Sequence, residues 1–388
     1  MFKIKHSFEN LHFLHALGAG GIAISFFMYL MFMTKHPETP VPTFESIGTS
    51  FVDGSPFLQG IILIALSGLI IFGIVHFVSL IHNIYRFLVH QKTGEYIDDH
   101  GLQRMAIPLT LGMSMNVIFS LAVVFVPNLW IYIEYLFPVS IFGFLVIGFF
   151  AFRMLIENYA QVFSKQGFEN DDHNHLSHAL PIFALAMIGV GLSGPAAMAH
   201  VHETAALALI ASLSINSIAI LLFSVQFVIG IHNVFKKGWS FEHSPSTWII
   251  LPFLTLIGIS FIRYEHALHT VIGSSINHGD YFLITTIFIS IQIFFGILGF
   301  SIMKNNNYFS KYLNKDVVSS SNLSLICPGV ALVVFGFFFV HRGLVQNEII
   351  IQNSFTYFIL VIILVLVQIQ TIKKYSSIHR KLSRLKEL

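Results

Sequence analysis

The sequence predicts an all-α integral membrane protein of ten transmembrane helices, and three observations carry that reading. Of 388 residues, 55% are hydrophobic and only 10% charged, against about a quarter charged in soluble domains, and the mean hydropathy is +0.76. Ten apolar runs are near the twenty residues that cross a bilayer: 12–33, 57–85, 104–126, 130–157, 176–199, 206–232, 247–269, 280–303, 322–342 and 353–373. None alternates polar and apolar as a barrel strand would, so each satisfies its backbone internally as a helix. The third observation is a repeat.

Odd-numbered spans carry "AIPLTLGMS" at Pro108, "ALPIFALAM" at Pro181, "ILPFLTLIG" at Pro252 and "ICPGVALVV" at Pro328, with prolines 73, 71 and 76 residues apart. The first span has "ALGAGGIAI" at the equivalent place. A proline inside a helix removes a hydrogen bond and bends it, so the odd spans are expected to be kinked. Even-numbered spans end on "IHN" (81–83), "IEN" (156–158), "IHN" (231–233) and "MKN" (303–305), which makes Asn83, Asn158, Asn233 and Asn305 candidate helix C-caps. The unit is a helical hairpin repeated five times in one polytopic domain covering 1–388, at about 12–85, 104–157, 176–232, 247–303 and 322–373, with a basic cytoplasmic tail at 374–388.

Lys and Arg positions set the orientation. Eighteen of 21 fall on one side, leaving only Lys35, Arg263 and Arg342 on the other, so both termini are expected to be cytoplasmic. The setting is a bacterial-type inner (plasma) membrane, with lipid as the surrounding partner. The first apolar run is too long for a signal h-region and lacks an A-x-A site, so it is expected to remain. A net charge of +2 points to no nucleic-acid partner, and a single cysteine, Cys327, excludes internal disulfides and Cys-based metal clusters.

The hairpin count, the repeat and the prolines resemble the tellurite-resistance/dicarboxylate transporter superfamily, which includes the plant slow anion channel. The resemblance implies five hairpins around a quasi-fivefold axis, with odd helices inside and kinked, even helices outside, and a central path blocked by phenylalanine. It also implies a homo-oligomer, a trimer. A narrower resemblance is to the TsoY (seleno)protein family, ten-helix relatives of that superfamily. It draws attention to Cys327, a thiol or selenol position beside the kink proline and a candidate catalytic residue.

Histidine is where the chain departs from that pattern. There are twenty, and ionisable residues at membrane depth are functional candidates. His12 and His15 on the first span and His175 and His178 on the fifth both read His-x-x-His-Ala-Leu, 163 residues apart. With His82 and His232 they form a group at the cytoplasmic side, and His76 lies about 9 Å deeper than His82 at 1.5 Å per residue. His200, His202, His266, His269 and His341 form an outer group. Zinc or copper sites commonly add a carboxylate or thiolate, which is scarce here, whereas two imidazoles from different helices suit a low-spin haem b. The candidate iron ligands are His15, His82, His178, His232, His266 and His341, with His76, His200 and His269 as further cofactor contacts and His12 and His175 as bystanders. Arg263 and Arg342 outside, and Arg153 and Arg86 inside, are candidates to hold haem propionates. The ordinary alternatives are interfacial histidines, snorkelling arginines and the pairs Arg263–Glu265 and Arg153–Glu157.

Two haems near opposite surfaces imply a diheme, bis-His redox protein, a membrane oxidoreductase passing electrons from an unknown donor to an unknown acceptor. The rival expectation is an anion channel or transporter of the resembling superfamily, with "FGFFFVH" at 335–341 placing Phe337, Phe338 or Phe339 as the plug. Against transport, the inner helices show no basic ring in the sequence. A metal-ion transporter would need ligands along the mid-membrane path, where only His76 lies. The connection at 35–56 has enough proline to be expected ordered but extended, placed to cover an outer site.

Overall fold

The structure is a computed structural model that describes residues 10–93, 103–164, 179–239, 244–310 and 320–384. Its helices are α1 (Phe13–Met33), α2 (Phe44–Val52), α3 (Pro56–Thr93), α4 (Ala106–Phe125), α5 (Ile133–Ser164), α6 (Leu180–Met198), α7 (His202–Lys237), α8 (Ile250–Ile272), α9 (His278–Asn305), α10 (Ile326–Phe338) and α11 (Phe355–Arg384). A π-helical turn, Phe339–Val345, continues α10. Among the described residues there is no strand, and ten helices are long and apolar enough to cross a membrane; only α2 is not one of them. The face shared by the start of α1 and the end of α11 is called the near face, the other the far face.

The spans alternate in burial along the chain. In the span Leu180–Met198, 94% of the apolar window is buried, against 28% in the span before it and 33% in the one after. The more buried set is α1, α4, α6, α8 and α10. Within it α1 packs on α4, α4 on α6, α6 on α8, α8 on α10, and α10 on α1 again. Each less buried helix touches two of these: α3 packs on α1 and α4, α5 on α4 and α6, α7 on α6 and α8, α9 on α8 and α10, and α11 on α10 and α1.

The repeated prolines lie at the starts of the α-helices rather than in their middles. Pro108, Pro252 and Pro328 are each the third residue of their α-helix and Pro181 is the second. Tight 3-10 turns at Gln103–Met105, Ser244–Ile249 and Ser320–Leu325 lead into α4, α8 and α10. First-turn N–H groups lack an intrahelical acceptor, so proline there sacrifices no bond. The repeat therefore marks helix starts, while the prolines inside helices are Pro138 in α5 and Pro195 in α6. Asn83 is likewise no cap. It lies ten residues before the end of α3, buried, with its Nδ2 donating to the His12 carbonyl at 3.1 Å.

A second repeat is polar and lies at mid-span. His76 on α3, Asn216 on α7, Gln292 on α9 and Gln368 on α11 are each at most 4% exposed. One His76 nitrogen meets the Ala16 carbonyl at 2.7 Å and the other the Ser114 hydroxyl at 2.8 Å. Asn216 donates to the Tyr264 hydroxyl, Gln292 to the Leu251 carbonyl and the Thr255 hydroxyl, and Gln368 to the Ser25 hydroxyl while accepting from Tyr29. Outer helices α3, α7, α9 and α11 are thus each bonded across to the more buried set. Lipid offers no hydrophobic drive between helices, so such bonds, about 0.6 kcal/mol each, and close packing hold them together.

Close packing depends on glycine at two places. A Cβ on Gly20 would lie 2.8 Å from the His76 ring nitrogen, and one on Gly258 would press into the fully buried Phe335 ring. Gly258→Val is expected to destabilise the protein by about 1–3 kcal/mol, because Phe335 is wedged and overpacking forces backbone shifts. A melting temperature in detergent equal to that of the wild type would contradict this.

At the far face the connection between α1 and α3 is tied down. Thr43 and Ser46 form a capping box at the start of α2. The Glu45 carboxylate accepts the Asn128 backbone N–H at 2.5 Å, reaching the α4–α5 connection. That bond holds Glu45 below the usual carboxylate range. Because the carboxylate titrates low when folded, its contribution is complete above the ordinary carboxylate pKa and lost as pH falls through the folded value. Amide exchange of residues 34–55 is expected to speed up on acidification in that window, and Glu45→Gln to remove the dependence. An unchanged pH profile in the variant would refute it.

Candidate functional site

A cavity of about 290 Å³ lies where the five more buried helices meet, and every one of them lines it. Its middle is apolar, with Phe27, Phe119, Phe183, Met187 and Phe338 on the wall. At one end Cys327, from the first turn of α10, is half-buried and turned to the cavity. The other end holds Arg263 and His266 from α8 and Arg342 from the π turn after α10. Pro40 and Val41 of the α1–α3 connection also line the cavity, so that connection crosses its far end.

The two guanidiniums define the chemistry. Arg263 Nη1 donates to the Val190 carbonyl at 2.9 Å and lies 3.4 Å from the Ser193 hydroxyl, both on α6. Arg342 Nη1 donates to the Gln346 side chain at 3.2 Å. Among the described residues neither has a carboxylate partner; Glu265, the acid nearest Arg263 in sequence, instead accepts the Asn277 N–H. An arginine carries five donors in a planar fork and stays charged. Each fork here commits one nitrogen to protein acceptors and leaves charge and donors for something in the cavity. Two arginines, from α8 and the π turn, thus line one cavity. The π turn is the local reason for one of them. His341 turns away from the cavity toward Tyr357 and Phe32, while Arg342 next to it lines the cavity.

The histidines named as iron ligands are placed as follows. His15 is fully buried, with Nδ1 3.0 Å from the Ser79 hydroxyl and Nε2 3.0 Å from His379 Nδ1, and it stacks on Tyr375 at 4.8 Å. His76 has both nitrogens engaged, as above. His341 sets Nδ1 on the Phe337 carbonyl at 2.9 Å and Nε2 on the Tyr357 hydroxyl at 3.0 Å. His266 Nε2 meets the Tyr281 hydroxyl at 3.1 Å, and the exposed His269 meets the Ser274 carbonyl at 2.8 Å. His82, His200 and His232 are exposed, so His15 does not pair with His82. His175 and His178 lie outside the described residues.

A bis-His haem needs two ring nitrogens whose lone pairs are free for iron. His15, His76 and His341, the deepest of the named rings, commit both nitrogens to protein groups. In this arrangement they do not fit the group, and no electron-transfer step follows from them. Arg153 forms the exposed i,i+4 pair with Glu157 at 2.9 Å rather than facing a cofactor. Of the three plug phenylalanines, Phe338 lines the cavity; Phe337 is fully buried between Tyr29 and Phe32, and Phe339 packs into the core.

His379 and Tyr375 do not stand out in the sequence. The helix runs on past 373 as "KKYSSIHRKL", free of Gly and Pro, and i,i+4 spacing puts Tyr375 and His379 on one face. That is the available signal. No protein-family model, curated protein or solved structure matches the chain, so its chemistry rests on its own residues.

Proposed function

We propose that this chain binds a small anion in its central cavity and passes it across the membrane, in the manner of the tellurite-resistance/dicarboxylate transporters and slow anion channels. The observation that carries the reading is the pair Arg263 and Arg342, two cavity-lining guanidiniums without a carboxylate among the described residues. A buried charge is expensive in a membrane and is kept where it serves a pathway. The cyclic contacts of α1, α4, α6, α8 and α10, each flanked by one outer helix, support a quasi-fivefold assembly of five hairpins. The excess of Lys and Arg at the near face supports a cytoplasmic near face with both termini inside the cell. Phe338, with Phe27 and Phe183, would close the path between conduction events.

Anion efflux from proteoliposomes, tested with chloride, nitrate and a small dicarboxylate, is the direct test. Purified protein that moves none of them would overturn the reading. The redox reading separates in the same preparation: a reducible Soret band with a pyridine haemochrome would restore it.

A further inference from the structure

A second cavity of about 550 Å³ lies at the far face, beneath the connection 34–55. It is lined by the end of α1, the end of α2, the start of α3 and the π turn. Its charged groups are Lys35, Arg342 and Asp53, a cationic excess of one. His36 and His341 also reach its wall, but both are tied: His36 lies between the Thr39 and Met31 carbonyls, and His341 bonds as described. Two residues, Met31 and Arg342, line both this cavity and the central one. These two side chains therefore border both spaces. Along the axis, by contrast, the central cavity meets Pro40 and Val41, and Val41 is buried. The connection carrying them is fastened by the Thr43 capping box and the Glu45–Asn128 bond.

We propose that a small carboxylate or oxyanion reaches the central cavity sideways, through this far-face cavity, with Lys35 and Arg342 as its binding groups and Arg342 with Met31 as the partition it must pass. This rests on the anion reading for its cargo. Arg342 serves both spaces. Its guanidinium meets the anion from the outer cavity first, as a planar fork suited to carboxylate or oxyanion, and the same side chain then faces Arg263's cavity. Lys35 adds a mobile point charge at the mouth, and the nearby carboxylate of Asp53 keeps the site from holding the anion too firmly to release it. Met31, unbranched and flexible, is the residue type most easily moved aside.

The only cysteine makes the route measurable. Full-length protein is placed in sealed vesicles with the far face outward, verified by protease protection of the C-terminus. Cys327 is then labelled from outside with the anionic, impermeant reagent 2-sulfonatoethyl methanethiosulfonate, and labelling is followed by intact mass. Leu58→Trp, which fills the far-face cavity, is expected to slow labelling at least tenfold, while Glu45→Gln, which unfastens the axial cover and lines neither cavity, leaves the rate unchanged. Lys35→Glu is expected to lower the ratio of anionic to cationic reagent rates about tenfold. The converse pattern, with Glu45→Gln speeding labelling and Leu58→Trp silent, would overturn the lateral route, as would a wild-type Cys327 that is not labelled from this side. Labelling needs no ion flux, so vesicles inert to anions but showing the expected pattern would refute the transport reading and leave the route standing.

Discussion

Arg263→Gln is expected to reduce anion flux through reconstituted protein at least tenfold. The side chain is held by α6 through the Val190 carbonyl and lies on the cavity wall without a carboxylate among the described residues. Its charge is therefore available to an anion rather than neutralised at home. Removing one member of a buried charge pair costs about 2–5 kcal/mol, enough to take a bound anion from micromolar to millimolar affinity. Arg263→Lys should recover only part of the flux, because an ammonium cannot hold Val190 and an anion with one planar fork. Arg153→Gln is the control: its exposed pair with Glu157 at 2.9 Å makes no contact with the cavity, and such pairs are worth little. Equal flux for wild type and Arg263→Gln would remove the central claim.

His76→Ala is the variant expected to damage the fold most. The ring is fully buried and bridges three helices, from α3 to the Ala16 carbonyl on α1 and the Ser114 hydroxyl on α4. Truncation leaves a ring-sized void against Gly20 and removes the link from α3 to α1 and α4, an expected loss of about 3 kcal/mol. His82→Ala, six residues along the same helix and exposed, should leave the melting temperature where it is. Thermal unfolding in detergent distinguishes the two, and equal melting temperatures would show that His76 is not a structural clamp.

These two histidines show how far the sequence could be read. The ten spans were legible because twenty apolar residues leave the backbone no choice but a helix. Depth was legible too, since it follows from position along a span. Azimuth was not: His15 and His82 belong near the same surface, yet one faces α11 and the other points away from the protein. The contrast between apolar and polar helix faces that reveals a buried side in water is nearly silent here, because lipid and core are equally apolar. Helix ends were hidden by composition. Charges at 86–92 and after 373 looked like the limits of α3 and α11, but Lys, Arg and His are competent helix residues and both helices continue. Arg263 and Arg342 stood out in the sequence as the only arginines on their side. Which way they turn required the π turn after α10 and the crossing of α8 over α6, neither of which has a local signature. The polar repeat Asn216, Gln292 and Gln368, 76 residues apart, is a signal present in the sequence but masked by the abundance of histidine.

The contacts of α11 carry a consequence for biosynthesis. Gln368 bonds Ser25 and Tyr29, and His379 meets His15, across more than 330 residues of chain. Helix α1 thus waits for α11 before the Tyr29 hydroxyl and the second nitrogen of His15 are matched. Contacts of such long sequence separation form slowly and late. Until then the seam between α10 and α1 stands open in the bilayer, showing Tyr29 and one nitrogen of His15 to lipid or to any quality-control protease that reads unpaired polar groups. A chain ending before α11 would therefore be expected to be degraded rather than to persist, and a separately expressed α11 peptide to rescue it.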